Sequence, residues 1–324
     1  MGDYILEVKD LKKYYPVSKF ALERRRSYVK AVDGVSFNIK RGSTMGLVGE
    51  SGCGKTTVGR TILRLHEVTG GQVIFDGQDL SKVKTKELRR MRPQMQMIFQ
   101  DPYSSLSPRL PIGEIIGEAV KEHNIVPRSQ YRSYILKVMR DCGLQPQYYY
   151  RYPHEFSGGQ RQRISIARAV ALKPKFIICD EPLSALDVSI QAQIINLMKD
   201  LQEEYGYTYL FISHDLSVVE YISDTIAVMY LGNIMEMGDK RKIFKTPMHP
   251  YTKALLSAVP VSDPDVKMNR IILKGDIPSP VNPPSGCKFR TRCPNAMPIC
   301  AEKAPVFKEY EKEHSVACHL YNQD

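Results

Sequence analysis

No apolar run in this 324-residue sequence approaches the roughly eighteen residues needed to cross a bilayer, so none reads as a membrane span. The opening MGDYILEVKD lacks the basic-then-apolar pattern of a secretory leader, and Leu6 stands where a myristoylation signal requires Ser or Thr. The expectation is a chain that reaches a membrane only through another protein. There is no sustained heptad run, no repeat at solenoid or propeller periods, and no C-x₂-C pair. These absences disfavour a coiled-coil insertion, a repeat scaffold and, mildly, a common zinc ribbon or knuckle.

What is present suits a globular protein. Hydrophobic residues make up 43% and charged residues 25%, and the length exceeds one ordinary compact domain, so one large domain with an appendage is expected. The formal net charge of +11 suits an anionic partner: nucleotide phosphates, nucleic acid or the negative inner leaflet. A basic, solvated surface would carry the same charge. The densest basic run, Glu23-Arg24-Arg25-Arg26 with Lys30 nearby, has no interleaved stacking aromatics, so it reads as a surface loop and no nucleic acid is expected. Seven cysteines are spread unevenly, with Cys287, Cys293, Cys300 and Cys318 crowded near the end. In a cytosolic chain, the expectation here, such a cluster reads as metal binding before disulfides.

The pattern predicts strands over Ile5–Val8, Val35–Ile39, Thr44–Val48, Met95–Phe99, Phe176–Cys179 and Tyr209–Ile212. Helices are predicted over Thr56–Leu65, Gln160–Leu172, Ser189–Tyr205 and Leu216–Ile222. Alternating apolar strands and helices imply a parallel α/β sheet covered on both faces. Residues 101–155 read as a helical insertion, with helices over Ile112–His123 and Gln130–Cys142. From 247 onward proline is frequent, so residues 1–246 are taken as one domain and 247–324 as a small irregular extension.

Two stretches carry chemistry. Gly49-Glu50-Ser51-Gly52-Cys53-Gly54-Lys55-Thr56 fits G-x-x-x-x-G-K-[ST], between an apolar strand and a helix as that motif requires. Its glycines let successive N–H groups point into one concavity that cradles phosphate oxygens. Lys55 supplies charge to the β and γ phosphates and Thr56 a hydroxyl to Mg²⁺, with Thr57 next in the helix. A chance match is roughly a one-in-a-hundred event. Cys53, beside a lysine and a helix N-terminus, is expected to have a lowered thiol pKa. The strand Phe176–Cys179 ends in Asp180 and Glu181: Asp180 is suited to Mg²⁺ and Glu181 to polarise an attacking water as general base.

Phe156-Ser157-Gly158-Gly159-Gln160, about twenty residues before those acids, resembles the LSGGQ signature of ABC ATPases. With the phosphate loop and the acids in order, the resemblance spans residues from about 5 to 240. It implies an α/β P-loop cassette with a RecA-like core, an antiparallel β subdomain and a helical subdomain. It also implies roles residue by residue. Gln100 would be the Q-loop glutamine that touches Mg²⁺ and senses the γ-phosphate. Ser184-Ala185-Leu186-Asp187 resembles the D-loop, His214 the switch histidine, and Tyr15 the aromatic that stacks on adenine. Ser157, Gly158, Gly159 and Gln160 would bind the γ-phosphate of an ATP held by the other subunit of a sandwich dimer, so that hydrolysis releases the halves.

Within that family the chain resembles the F-type ATP-binding subunit of oligopeptide and dipeptide importers. The residues that carry this are Val48–Lys55, Phe99-Gln100-Asp101-Pro102-Tyr103-Ser104-Ser105-Leu106, the loop Lys19–Lys30, and His249-Pro250-Tyr251-Thr252-Lys253-Ala254-Leu255-Leu256. The resemblance implies a D-type ATPase as heterodimer partner, two transmembrane permeases, an extracellular or periplasmic solute-binding protein, and a place on the cytoplasmic face of the membrane. It also implies a [4Fe–4S] cluster on the four late cysteines, spaced C-x₅-C-x₆-C-x₁₇-C, with Zn²⁺ as the alternative because His314 and His319 flank Cys318. Nickel importers share much of the pattern. A soluble ABC ATPase acting on ribosomes or DNA, a binding-only cassette and an exporter are the competing readings. A single cassette, intact motif residues and the absence of fused membrane helices weigh against them.

Overall fold

The structure, a computed structural model, describes residues 3–17, 27–259 and 270–321. The arginines of the basic run lie outside these residues. The chain divides into two compact units: Lys82–Ile212 with Met1–Ile5 and Ile39–Ser43, and the remainder, Leu6–Asn38, Thr44–Ser81 and Ser213–Asp324.

The second unit holds most of the opening elements: β1 (Tyr4–Val17), β2 (Ser27–Lys40), β3 (Thr44–Val48), α1 (Lys55–Ile62), β4 (Gly70–Phe75) and β5 (Gln78–Asp79). Four of these strands form one sheet in the order β2-β1-β4-β5, antiparallel where β4 meets β1 and β5. Leu6, Val8, Val73 and Phe75 are buried on its covered face, the alternation expected of a sheet with one face on the core. β1 and β2 run far beyond the predicted Ile5–Val8 and Val35–Ile39. Their extra length mixes charged residues with scattered apolar ones such as Leu11 and Val32, so apolar periodicity alone does not mark it.

In the first unit α2 (Thr85–Met91) leads to β6 (Met95–Ile98), then to α3 (Pro102–Ser105), α4 (Ile112–Glu122) and α5 (Tyr131–Asp141). After α6 (Gly158–Val170) come β7 (Phe176–Asp180), α7 (Val188–Tyr205) and β8 (Thr208–Ile212). β7 pairs parallel with β6 on one side and β8 on the other, Phe176 lying opposite Met95 and Thr208. Every residue of β7 and β8 is buried, which is why both read as continuous apolar runs. α4 packs on α5 and α6, burying Ile112, Ile115, Ile116 and Val120 of α4 and Ile135 and Val138 of α5. The predicted helical insertion is therefore present, in several short helices. α7 stops at Gly206, which takes the left-handed conformation, φ 69°, that ends helices.

The second unit is completed by α8 (Leu216–Ile222), β9 (Thr225–Tyr230), β10 (Asn233–Asp239), α9 (Lys240–Lys245) and α10 (Pro250–Ser257). α11 (Ile299–Glu302), β11 (Lys308–Glu311) and β12 (His314–Val316) follow. β9 pairs parallel with β3, but β10 returns antiparallel to β9 through the two-residue turn Leu231-Gly232, φ 41° and 80°. Such a turn twists with its strands. β12 then pairs with β10, Glu236 opposite Val316, and β11 with β12. The sheet is thus parallel only in part, and strands of the C-terminal segment extend it.

Candidate functional site

The phosphate loop joins β3 to the N-terminus of α1. Two glycines are required by its curve. A Cβ at Gly49 (φ 151°) would lie 2.1 Å from the Met229 carbonyl oxygen, and one at Gly54 (φ 108°) 2.1 Å from that of Ala31. Lys55 is 4% exposed, and its ammonium donates to the carbonyls of Gly49 (2.8 Å) and Glu50 (3.1 Å). Those polar bonds satisfy a buried cation. Cys53 places its Sγ 3.9 Å from Lys55 Nζ. The expectation of a lowered thiol pKa is overturned: burial pushes the Cys53 thiol up, and Lys55 opposes this only in part.

Tyr15 lies on β1, half-buried, edge-on to His66 at 5.8 Å, hydrogen-bonded to Thr57, with Lys13 Nζ 4.8 Å from its ring centroid. Burial, ahead of these partners, raises its hydroxyl pKa. His214 is exposed and follows β8, one residue before Asp215, whose carboxylate accepts from the N–H groups of Ser217 (2.9 Å) and Val218 (3.3 Å) to cap α8.

The acids stand in the other unit. Asp180, 1% exposed, closes β7, and Glu181 follows at φ 47° with its N–H on the Ile212 carbonyl at 3.0 Å. A non-glycine residue in that region is uncommon and marks a turn held by its surroundings. Gln100, exposed after β6, donates from Nε2 to Glu181 Oε2 at 2.9 Å, so two residues 81 apart in sequence meet at strand ends. The D-loop is braced by Gln191, whose amide donates to the carbonyls of Leu183 (3.1 Å) and Leu186 (3.0 Å). Sequence reading gave Gln191 no role. Asp187 occupies the position before α7 without a side-chain cap bond.

The signature opens α6. Ser157 Oγ accepts from Gln160 N–H at 3.4 Å, while the Gln160 side chain accepts from Ser157 N–H at 3.1 Å. This capping box starts the helix at Gly158, earlier than the predicted Gln160. Gly158 is exposed and Gly159 half-exposed, so a bare helix N-terminus is presented, an arrangement suited to anions. Arg161 reaches back to the Pro153 carbonyl at 2.9 Å and lies 5.0 Å from the Tyr103 ring, joining the signature helix to the segment after Gln100.

The hydroxyl of Thr56, the carboxylate of Asp180 and the amide oxygen of Gln100 are hard oxygen donors, the set Mg²⁺ prefers. The late cysteines are different. Cys287, Cys300 and Cys318 are buried, Cys293 is half-buried and all four are free thiols. Cys318 is pushed up to about 11, first by burial and then by negative charge on Cys287, Cys293 and Cys300. Cys287 N–H donates to the Cys300 carbonyl at 2.8 Å, so these two lie side by side. Yet among the described residues no three His, Cys, Asp or Glu side chains are arranged to hold a metal ion, so the expected cluster finds its donors but no ligating geometry. No helix among the described residues is long and apolar enough to cross a membrane.

Sequence reading missed a set of buried and half-buried ion pairs that tie down the C-terminal segment. Lys288 Nζ meets Asp33 at 2.7 Å, and Tyr14 also donates to Asp33. Glu236, fully buried, receives His314 Nε2 at 2.7 Å, Met248 N–H at 2.7 Å and His249 N–H at 2.8 Å. Burial alone would raise Glu236, but these bonds outweigh it and hold the carboxyl below its usual range. Arg292 closes on Glu50 with its two terminal guanidinium nitrogens, Nη1 and Nη2, at 2.6 and 3.1 Å. Only the crowding of cysteines around Lys288 and Arg292 hinted that this stretch is built for something.

A phosphate loop, a strand-end acid pair touched by a glutamine and a capped signature helix together define an ATPase of the cassette class. Residues 32–184 match the ABC transporter family and residues 235–300 the oligopeptide/dipeptide transporter C-terminal region. The chain is 56% identical to the oligopeptide transport ATP-binding protein AppF of Bacillus subtilis over 98% of both chains. It is 50% identical to the dipeptide transport ATP-binding protein DppF of Escherichia coli, over 99% of this chain and 95% of that one. A solved dimeric ATP-binding cassette, holding ADP and phosphate after hydrolysis, superposes with TM-score 0.64 at 28% identity, covering 73% of this chain and 99% of that one. The cassette cbiO1 of Clostridium perfringens, part of the ABC transporter complex cbiONQ, gives TM-score 0.65 at 26% identity over 76% of this chain and 92% of that one. The chain belongs to the ABC transporter ATP-binding subunits of the oligopeptide/dipeptide group, on its F-type branch.

Proposed function

We propose that this subunit is the ATP-driven motor of an importer for oligopeptides or dipeptides, acting from the cytoplasmic face of the membrane. It pairs with a D-type ATPase to sandwich two nucleotides and docks on two permease subunits fed by a solute-binding protein. The observation that carries the catalytic part is the 2.9 Å bond from Gln100 to Glu181. It holds a γ-phosphate sensor on the carboxylate suited to polarise water, at the end of the strand that bears Asp180.

Each residue then has one task. The loop N–H groups and Lys55 hold the phosphates, Lys55 exchanging its carbonyl partners for phosphate oxygens. Tyr15 stacks on the adenine. Thr56, Asp180 and Gln100 would hold Mg²⁺, which would supply positive charge against the β and γ phosphates. Glu181 orients and deprotonates water, and His214 stabilises charge developing on the γ-phosphate. Ser157, Gly158, Gly159 and Gln160 offer the α6 N-terminus to the nucleotide of the opposite subunit, with Asp187 beside that interface. Glu181→Gln tests this directly. ATP binding persists while hydrolysis stops and the closed dimer accumulates; normal turnover would remove Glu181 from the role of base.

Four free thiols in one short segment, with Cys287 N–H on the Cys300 carbonyl at 2.8 Å, support a second reading, a [4Fe–4S] cluster on Cys287, Cys293, Cys300 and Cys318 that would cross-link the segment. Anaerobic protein should carry iron and sulfide near four per chain. Stoichiometric zinc without iron would refute the cluster.

A further inference from the structure

Glu50 is the one acidic residue inside the phosphate loop. A carboxylate there opposes the phosphates the loop must collect, across a gap that screens poorly. The structure accounts for every polar group of Glu50. Its N–H donates to the buried Tyr251 hydroxyl at 2.9 Å. Its carbonyl accepts from Lys55 Nζ at 3.1 Å and Cys53 N–H at 3.3 Å. Its carboxylate is gripped by Nη1 and Nη2 of Arg292.

Arg292 and Tyr251 both come from beyond residue 246. Arg292 is 9% exposed, its N–H donates to the Phe289 carbonyl at 3.0 Å, and its guanidinium lies 6.0 Å from the Tyr230 ring. Tyr251 is fully buried against Tyr230, at 4.8 Å, and Phe289, at 5.2 Å. A planar fork fixed by packing gives a bidentate pair its strength, and lysine cannot reproduce it.

We propose that Arg292, supplied by the cysteine-bearing C-terminal segment, is a positioning residue for ATP. It neutralises Glu50 and, with Tyr251, turns that residue outward so that the loop's N–H groups face the phosphates. The C-terminal segment is thereby a working part of the nucleotide site. The inference rests on the phosphate-loop reading above.

The test is equilibrium binding of a fluorescent ATP analogue, with steady-state hydrolysis, on the purified full chain. Arg292→Ala should raise Kd and KM together by roughly tenfold while kcat stays within about threefold, and Arg292→Lys should fall between. The double variant Glu50→Gln/Arg292→Ala should regain most of the lost affinity, because the charge to be neutralised is gone. Unchanged Kd in Arg292→Ala, or a double variant as weak as the single, would overturn the proposal. Should Arg292→Ala fail to fold, the same cycle with Arg292→Lys decides the matter on the same criteria. Lys55→Ala is the separate control. If it binds the analogue normally, the phosphate-loop reading fails, whatever the Arg292 variants do.

Discussion

The cassette core and the C-terminal segment are held by opposite means. β7 and β8 bury whole apolar strands, with Phe176, Ile177, Ile178, Leu210 and Phe211 at zero exposure. The segment 270–321 buries few large apolar side chains, chiefly Phe289 and Val316, and ties itself down through Lys288 to Asp33, Arg292 to Glu50 and His314 to Glu236. Apolar burial is non-directional and tolerates sliding, whereas ion pairs fix a register. A segment that must set the phosphate loop benefits from the second kind of attachment.

Breaking one member from each side tests that contrast. Glu236→Ala strands His314 and two backbone N–H groups and should cost about 3–5 kcal/mol; Phe176→Ala should cost a similar amount, about 3–5 kcal/mol. The two differ in what is lost. By hydrogen exchange, the Glu236 variant should open the C-terminal segment first, while the Phe176 variant should weaken the β6-β7-β8 strands. Identical exchange patterns would erase the distinction.

Acid should discriminate next. His249 is fully buried and its Nδ1 caps α10 by accepting from Tyr251 N–H at 3.0 Å. Burial lowers it to about 4 from 6.5; Glu236 opposes the shift and Lys253 adds to it. The unfolded state therefore binds a proton that the folded state refuses between those values. Stability present above pH 6.5 should be lost as pH falls towards 4, by at most about 3 kcal/mol. Urea melts at pH 7 and pH 5 measure the loss, and His249→Asn should flatten the dependence while Phe176→Ala should not.

Gly49→Ala comes third: forcing a Cβ towards the Met229 carbonyl should cost about 1–3 kcal/mol of strain, read as weaker ATP binding with the strands intact by circular dichroism. The smallest expected effect is Ser157→Ala, about 1 kcal/mol of α6 stability from the lost cap, seen in thermal melts of the full chain.

The same contrast explains what was legible in the sequence. Motifs whose chemistry is local could be read directly: the phosphate loop, the acids Asp180 and Glu181 after FIIC, and the signature Phe156-Ser157-Gly158-Gly159-Gln160. The β9–β10 hairpin was not, because its turn places Leu231, not asparagine, at positive φ. Nor was the start of α10, where a histidine does the work of Ser or Asp. The ion pairs join residues 78, 242 and 255 apart, and no periodicity announces such partners. Cys53 was misread because proximity to Lys55 is visible in sequence and burial is not.

The most direct test of the central claim is to purify the tagged chain from its native membrane in mild detergent and identify its companions. Two polytopic membrane subunits with a second, similar ATPase are the predicted result. Ribosomes or nucleic acid without membrane subunits would contradict the importer motor.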